Sequence, residues 1–311
     1  MGMILAFGCD EMGLSPVAVK LYLELWQRNL LVNVNSVMDM GSAELNLNGA
    51  ELTELVDASG ISGYDQKNFP NIDNWPEQHP RCSARNFYEL LGAKHYQSID
   101  LNQDFGAIPH DLNLPFTDET LYNQFDLVTD HGTNEHVFNI AETYRTMHRL
   151  CKPGGMIVIM QAVYGGNGYY NFDLSFFEGM AAANNYRILF SSYTVHTLAS
   201  NGTKQFHIPV SRDLLNVVDW AKVQYLGICY VFQKTLDQDF QFAYQGQYLA
   251  KAQANLGYRL QFLPDPPSRT YVPLRGTEEN LLESVGTAAL VRYSIRRVFK
   301  RIAGRIIPRF R

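Results

Sequence analysis

Length, composition and charge exclude several classes of protein for this chain. Its 311 residues are 46% hydrophobic and 18% charged, which supports a buried core and argues against disorder. No apolar run approaches the roughly 20 residues of a membrane span, and no Lys or Arg precedes the short apolar N-terminal stretch, so neither a membrane span nor a secretory signal is predicted. The net charge is −5, but residues 292–311 hold eight of the 26 basic residues and no acid; the remaining 18 basic and 31 acidic residues give −13. Outside residues 292–311 the chain is therefore too acidic to offer a good nucleic-acid surface, and we expect no nucleic-acid partner. We also expect a cytoplasmic protein.

The first predicted elements are a helix and two strands. Ser15-Pro16 is typical of a helix N-cap followed by proline at the first helical position, and predicts a helix to about residue 28. A short strand over 34–39 follows. Residues 46–80 are rich in Gly, Asn and Pro and indicate an ordered insertion. Residues 82–91 predict a second helix, and 96–100 a second strand.

The segment 125–161 carries the strongest pattern in the chain. It reads FDLVTDHGTNEHV, then NIAETYRTMHRLC, then KPGGMIVIMQ, which is a strand, a polar loop, a helix, a Pro-Gly-Gly turn and a second strand. Such a βαβ unit implies two parallel strands. Ligands of these sheets lie beyond the carboxyl ends of the strands, so residues 129–132 are the first place to look for chemistry.

The remaining pattern completes an α/β domain. Residues 174–185 predict a helix and residues 186–195 and 223–235 predict strands, whose relative direction the sequence leaves open. The alternation predicts a doubly wound α/β domain over 30–236, with the insertion at about 46–80. An N-terminal helical segment (1–29), a C-terminal extension (237–288) and a basic tail (289–311) flank this domain.

Three residues at predicted turns are candidates for ligand contact. Gly41 follows the first strand, where glycine lets the backbone approach a ligand, although an ordinary turn is the alternative. The absence of G-x-G-x-x-G counts against a nicotinamide oxidoreductase. Asp100 ends the second strand, where an acid commonly accepts hydrogen bonds from ribose hydroxyls; the insertion explains its distance from Gly41 in sequence. For Asp111 the sequence leaves two possibilities: it faces an adenine amino group, or it is a turn-forming residue without a ligand.

Together these motifs resemble a known family. The segments VMDMGSAE, YQSIDLN, DLNLPF, FDLVTDHGTNEHV and HRLCKPGGMIVI occur in the order and register of class I S-adenosylmethionine-dependent methyltransferases, over about residues 36–185. The nearest subgroup is bacterial methyltransferase-domain proteins of poorly defined substrate. The resemblance implies a Rossmann-like, doubly wound seven-stranded sheet in three αβα layers, with S-adenosyl-L-methionine as cofactor. Family members usually have a second glycine where this chain has Ala43.

The resemblance also implies a set of cofactor-binding residues. The loop after the first strand would line the methionine portion of S-adenosylmethionine. The end of the second strand would hold its ribose and adenine, and the end of the fourth strand would lie near its sulfonium. The set is Asp39, Gly41, Ser42, Ala43, Asp100, Leu101, Asp111, Leu112 and Asp130.

Methyl transfer requires an aligned nucleophile and, for a hydroxyl, removal of its proton. His131, at the end of the fourth strand, is the predicted catalytic base; a loop histidine bonded to backbone is the alternative. No metal site is predicted. The Asn/Asp/Ser-Pro-Pro-aromatic motif of many amino-group methyltransferases is absent, which favours an oxygen acceptor. The predicted substrate-binding residues follow the fifth strand: Tyr164, Asn167, Tyr169 and Tyr170.

The sequence therefore predicts a methyltransferase acting on a hydroxyl of a small molecule or glycan. The alternative is a catalytically degenerate methyltransferase fold that acts as a binding or regulatory protein. In the tail, apolar and basic residues alternate at helical spacing, which suits an anionic membrane surface. Peripheral contact with the inner face of the membrane is one expectation, and docking of the tail on the acidic body is the other.

The cysteine pattern gives a separate expectation. Cys9, Cys82, Cys151 and Cys229 are widely spaced and form no CxxC pair, so neither a zinc ribbon nor a redox motif is indicated. Buried free thiols in a reducing compartment are the favoured state.

Overall fold

The structure is a computed structural model that describes residues 13–47, 49–61, 82–199, 202–210, 215, 220–245 and 291. Most of the predicted insertion, the C-terminal extension and the basic tail lie outside the described residues, so those expectations stay predictions. None of the helices in the described ranges combines the length and apolar character needed to cross a membrane.

The described ranges contain five α-helices and eight strands. The helices are α1 (Pro16–Gln27), α2 (Gly49–Ser59), α3 (Ala84–Leu90), α4 (Ile140–Leu150) and α5 (Leu174–Ala183). The strands are β1 (Ser36–Met40), β2 (His95–Asp100), β3 (Ile108–Pro109), β4 (Phe125–His131), β5 (Cys151–Tyr164), β6 (Arg187–Ala199), β7 (Gly202–Pro209) and β8 (Val223–Gln233).

All eight strands form one sheet, in the order β3-β2-β1-β4-β5-β8-β6-β7. The pairs from β3 to β5 are parallel, and β8 runs antiparallel to both β5 and β6. The order reverses between β1 and β4, which is the switch point where doubly wound sheets bind ligands. The predicted Rossmann-like fold class is confirmed.

The predicted number of seven strands is wrong, because the sheet has an eighth strand. β7 pairs antiparallel with β6 along its whole length, and the two strands form a hairpin. The sequence of β7, GTKQFHIP, places Lys204 and Gln205 beside only a few apolar residues. Such a strand lacks the apolar run that marks a buried strand in sequence.

Two apolar clusters cover the two faces of the sheet. Neighbouring residues of a strand point to opposite faces, so Val37 and Met38 of β1 belong to different clusters. The cluster on one face includes buried residues of α1, α2 and α3, and that on the other includes residues of α4 and α5. The layers are therefore αβα, as predicted, and α1 shares the core of the main domain.

The predicted Pro-Gly-Gly turn lies within β5. Cys151 already pairs with Phe125, and the next pair joins Met156 to Leu127, so residues 152–155 bulge out opposite a single residue of β4. The Lys152 ammonium lies 2.9 Å from the carboxylate of that residue, Asp126. The predicted turn is therefore a bulge within the strand, because β5 already pairs with β4 at Cys151, before the Pro-Gly-Gly residues.

The three cysteines that the structure describes, Cys82, Cys151 and Cys229, are free and buried. This agrees with the expected buried thiols. Burial raises the pKa of Cys151 to about 12, which keeps that thiol protonated and unreactive.

The core on the α4–α5 face generates a stability prediction. Phe177 is fully buried, and its ring stacks on Tyr230 at 5.2 Å. Phe177→Ala is expected to lower the free energy of unfolding by about 3–5 kcal/mol, because it removes the ring and leaves a cavity. Urea denaturation measures this loss. Phe138→Ala, at a position 73% exposed, is the control and should cost less than about 1 kcal/mol; equal losses would contradict this description of the core.

Candidate functional site

The strand register brings three predicted segments to one edge of the sheet. Met40 of β1 pairs with Ile99 of β2 and with Asp130 of β4. The next residue, Gly41, donates its backbone N–H to the Ile99 oxygen at 2.8 Å. The loops that follow β1, β2 and β4 therefore begin at the same level, at the carboxyl ends of parallel strands.

Gly41 is required by the close approach of the β4 loop. Its φ of +93° is one that side-chain-bearing residues rarely adopt, and a Cβ would lie 2.2 Å from Thr133 Oγ1. The next residue, Ser42, turns toward β2: its backbone N–H and hydroxyl donate to Asp100 Oδ2 at 2.8 and 3.0 Å. Ala43 packs against the cluster that contains α1–α3.

The end of β2 presents a carboxylate and an apolar side chain. Besides the two bonds from Ser42, Asp100 accepts the Asn102 N–H on Oδ1 at 3.2 Å. An ionised carboxylate has about four acceptor positions, so Oδ1 retains capacity for a ligand hydroxyl. Leu101 is 67% exposed. A partly open carboxylate beside an exposed apolar side chain fits the ribose and adenine of a nucleoside.

Asp111 and Leu112 occupy a turn. Asp111 Oδ1 accepts the backbone N–H of Asn113 at 2.9 Å and its side-chain amide at 2.8 Å. These two bonds lower the pKa of the Asp111 carboxyl. Leu112 is buried in the cluster on the α4–α5 face. The structure thus gives Asp111 a turn-forming role, and contact of either residue with adenine stays a prediction.

Two of the predicted cofactor-binding carboxyls are fully buried. Asp39 accepts hydrogen bonds from Thr129 Oγ1 at 2.7 Å and from the Tyr96 hydroxyl at 3.2 Å, and burial raises its pKa to about 7. Asp130 accepts two backbone N–H groups at 3.1 Å, those of Thr133 and Asn134, and burial raises its pKa to about 8. Both side chains hold neighbouring segments in place and have no surface open to a ligand in this arrangement.

His131 contacts two tyrosines from the helical layer. Its Nε2 lies 3.0 Å from the Tyr22 hydroxyl of α1 and 3.3 Å from the Tyr88 hydroxyl of α3. The imidazole is 4% exposed, and burial lowers its pKa to about 3. It is therefore neutral near pH 7. A general base, however, works best with a pKa close to the working pH, and the pKa of His131 lies well below it. Its role as the catalytic base stays a prediction.

Sequence reasoning missed Tyr22 and Tyr88. Both lie among the apolar residues of helices that pack on the sheet, and their spacing indicates only a buried face. The single available signal was the hydroxyl itself, since a buried tyrosine usually needs a hydrogen-bond partner.

A cavity of about 100 Å³ lies beside His131. The start of α1, the end of β4 and the three strands β6, β7 and β8 all line it. The side chains from those three strands are Thr194, His196, Gln205 and Tyr225. Sequence reasoning missed all four, because contact between β6–β8 and the end of β4 depends on how the chain packs.

The predicted substrate-binding tyrosines make aromatic and polar contacts in two places outside this cavity. Tyr164 packs on Trp220 with ring centres 5.4 Å apart, and Tyr169 packs edge-on against Phe138 at 6.1 Å. The Tyr170 hydroxyl donates to the Phe138 carbonyl at 2.6 Å. These residues and Asn167 do not line the cavity beside His131, and their contact with a substrate stays a prediction. No group of three potential metal-binding side chains occurs among the described residues.

The buried Asp130 predicts a pH dependence of stability. Its carboxyl ionises near pH 4 in the unfolded chain but near pH 8 in the fold. Unfolding therefore releases a proton between these values, and the free energy of unfolding falls as the pH rises through this window. Asp130→Asn should make the fall shallower, since the amide cannot ionise. Urea denaturation at pH 5 and pH 8 measures the change.

The control for this prediction is Asp104→Asn, at an exposed position, which should reproduce the wild-type slope. A slope in Asp130→Asn as steep as in the wild type would contradict the assignment. A residual slope is expected, because Asp39 acts in the same direction.

Comparison with known proteins gives a family match over part of the chain. Residues 67–159 match a family model described as a methyltransferase domain; the match includes β2–β4 and most of β5, and leaves out β1 and Gly41. No curated protein has a significant match to the chain.

Solved structures show only a distant likeness. A methyltransferase dependent on SAM from Archaeoglobus fulgidus is 11% identical, over 70% of this chain and 94% of its own, with a TM-score of 0.37. The 1,6-didemethyltoxoflavin-N1-methyltransferase of Burkholderia thailandensis, solved with S-adenosylhomocysteine, is 14% identical over 70% and 79%, with a TM-score of 0.35. No residue correspondence follows from such scores. The family match over residues 67–159 agrees with the resemblance of the sequence motifs to class I S-adenosylmethionine-dependent methyltransferases.

Proposed function

We propose that this protein transfers a methyl group from S-adenosylmethionine to a hydroxyl of a small molecule or glycan. The observation that carries the proposal is the convergence of Ser42, Asp100 and His131 at one sheet edge of a methyltransferase domain. The family match supports the cofactor and the reaction type.

The chain's own residues account for cofactor binding. Asp100 Oδ1 would accept a ribose hydroxyl, Leu101 would cover the adenine, and Gly41 would let the backbone approach. The buried Asp39 and Asp130 would act indirectly, by fixing the segments on either side. When bound, the cofactor supplies a methyl carbon activated by a positively charged sulfur, so the protein mainly has to align the acceptor.

The cavity beside His131 would receive the acceptor oxygen. The bound cofactor would supply the methyl group and keep the sulfur as a neutral thioether, and the hydroxyl proton of the acceptor would pass to water. We assign His131 the task of orienting this hydroxyl, because an imidazole with a pKa of about 3 holds a proton poorly. A larger acceptor would extend onto exposed aromatic surface such as Tyr169, which is 72% exposed.

One observation favours the alternative of a binding or regulatory protein. Ser42 already occupies Asp100 Oδ2 with two hydrogen bonds, so a ribose that needs both carboxylate oxygens must displace the serine. This competition would weaken cofactor binding. Direct measurement of binding separates the two functions.

Isothermal calorimetry with S-adenosylmethionine and S-adenosylhomocysteine tests the proposal. We expect the full chain to bind both ligands. Asp100→Ala should weaken binding by about 2–3 kcal/mol, because charge-assisted bonds to ribose are lost. Asp104→Ala, an exposed acid on the same loop, is the matched control and should bind like the wild type.

The possible outcomes differ clearly. No heat with either ligand would refute the methyltransferase proposal and favour the degenerate fold. Binding that Asp100→Ala leaves unchanged would keep the function but place the ribose elsewhere. Melting curves of each variant confirm that the fold is intact.

A further inference from the structure

We propose that the cavity beside His131 selects a neutral hydroxyl group, held between His131 Nδ1 and Gln205 Oε1. The inference rests on the proposed methyl transfer, whose acceptor it narrows, and it assigns the choice of acceptor to strand β7. Both atoms are buried and have no hydrogen-bond partner in the protein, and both side chains line the same cavity. Buried polar atoms are nearly always satisfied, so a ligand that bonds to both would complete the site.

The tyrosine contacts determine what His131 offers to the cavity. The Tyr88 hydroxyl donates to the Tyr22 oxygen at 3.3 Å. Because the Tyr22 oxygen already accepts this proton, we take the Tyr22 hydroxyl as the donor to His131 Nε2, 3.0 Å away. Since Nε2 accepts, the ring proton of the neutral imidazole resides on Nδ1. His131 therefore presents a donor to the cavity, and Gln205 presents an acceptor.

A hydroxyl is the simple group that matches this pair. Its oxygen accepts from Nδ1–H while its proton is donated to Gln205 Oε1. A carboxylate has no proton to donate to Gln205, and an ammonium has no lone pair for His131. No Asp, Glu, Lys or Arg occurs among the described residues that line the cavity, so a charged ligand would be buried without a counter-charge there. A volume of about 100 Å³ admits only a small ligand or the hydroxyl end of a larger one.

Strand β7 is held in place by His207, which fixes the position of Gln205. His207 Nε2 donates to the Val17 carbonyl at 2.9 Å, and Nδ1 lies 2.7 Å from the Ser192 hydroxyl. His207 is 3% exposed. Residues two apart on a strand share a face, so the anchoring of His207 against α1 also directs Gln205 toward the cavity. The strand beyond the predicted seven therefore supplies one of the two proposed contacts.

The test uses the full chain labelled with ¹⁵N-histidine and follows the His131 ring resonances by NMR. Glycerol is the hydroxyl probe, and acetate and ethylammonium are the charged probes. We expect glycerol to shift the Nδ1 resonance saturably and the charged probes to leave it unchanged. Gln205→Met keeps the side-chain length but removes the acceptor, and should weaken glycerol binding roughly fivefold to tenfold, as for loss of a neutral hydrogen bond.

A second pair of variants tests the inference without altering Gln205. The amide of His131→Asn lies near the position of Nδ1, whereas that of His131→Gln lies near the position of Nε2. With backbone ¹⁵N labelling, glycerol should still shift the Gly132 amide in His131→Asn and should have lost most of its effect in His131→Gln. Equal responses in the two variants, or acetate binding as well as glycerol in the wild type, would overturn the inference.

Failure of this inference is distinguishable from failure of the proposed function. Gln205→Met should bind S-adenosylhomocysteine with the wild-type dissociation constant. If the cofactor binds and glycerol does not, the hydroxyl site is wrong and the methyltransferase proposal stands. If glycerol binds with the expected dependence on Gln205 but neither cofactor binds, the cavity remains a hydroxyl site and methyl transfer is refuted.

Discussion

The parallel pairing of β1 with both β2 and β4 is the constraint on which the site depends. It brings the three strand ends to one level, so that the first loop meets the loop after β4 at Gly41 and meets the Asp100 carboxylate of β2 at Ser42. The contact between Gly41 and Thr133 is so close that no side chain fits at residue 41. The geometry of the proposed cofactor site is therefore a consequence of strand order, which two separate apolar clusters stabilise from either face.

Burial then divides the acids of this edge into two kinds. Asp39 and Asp130 lie inside the fold, where desolvation raises the pKa of each carboxyl and neighbouring donors occupy the oxygens. Asp100 lies one strand further out and is partly open. All three end or adjoin a strand, but only Asp100 can bond a ligand without a rearrangement of the core. Burial, and not residue type, decides which acid is available.

The sequence predicted the βαβ core well, because β4, α4 and β5 form a continuous local pattern of apolar strands and an amphipathic helix. It did not predict β7, whose few apolar residues give no strand signal and whose order depends on pairing with β6. For the same reason it named His131 without Tyr22, Tyr88 or Gln205. The position at the end of β4 is local information, whereas the partners come from α1, α3 and β7 and meet only in the packed structure. The pattern could place an acid or a histidine at a strand end but could not determine its burial.

The neutrality of His131 is consistent with the charge of the proposed cofactor. A methyl donor carries positive charge on sulfur, and a protonated imidazole beside it would repel that charge in a medium of low dielectric constant. Burial keeps His131 uncharged, which removes this repulsion. The same burial makes His131 a weak proton acceptor. Burial of this histidine is thus compatible with a positively charged methyl donor and also favours an orienting role for His131. Such a site would suit an acceptor that does not require a strong base. It would also suit one that loses its proton only late, as the new bond forms.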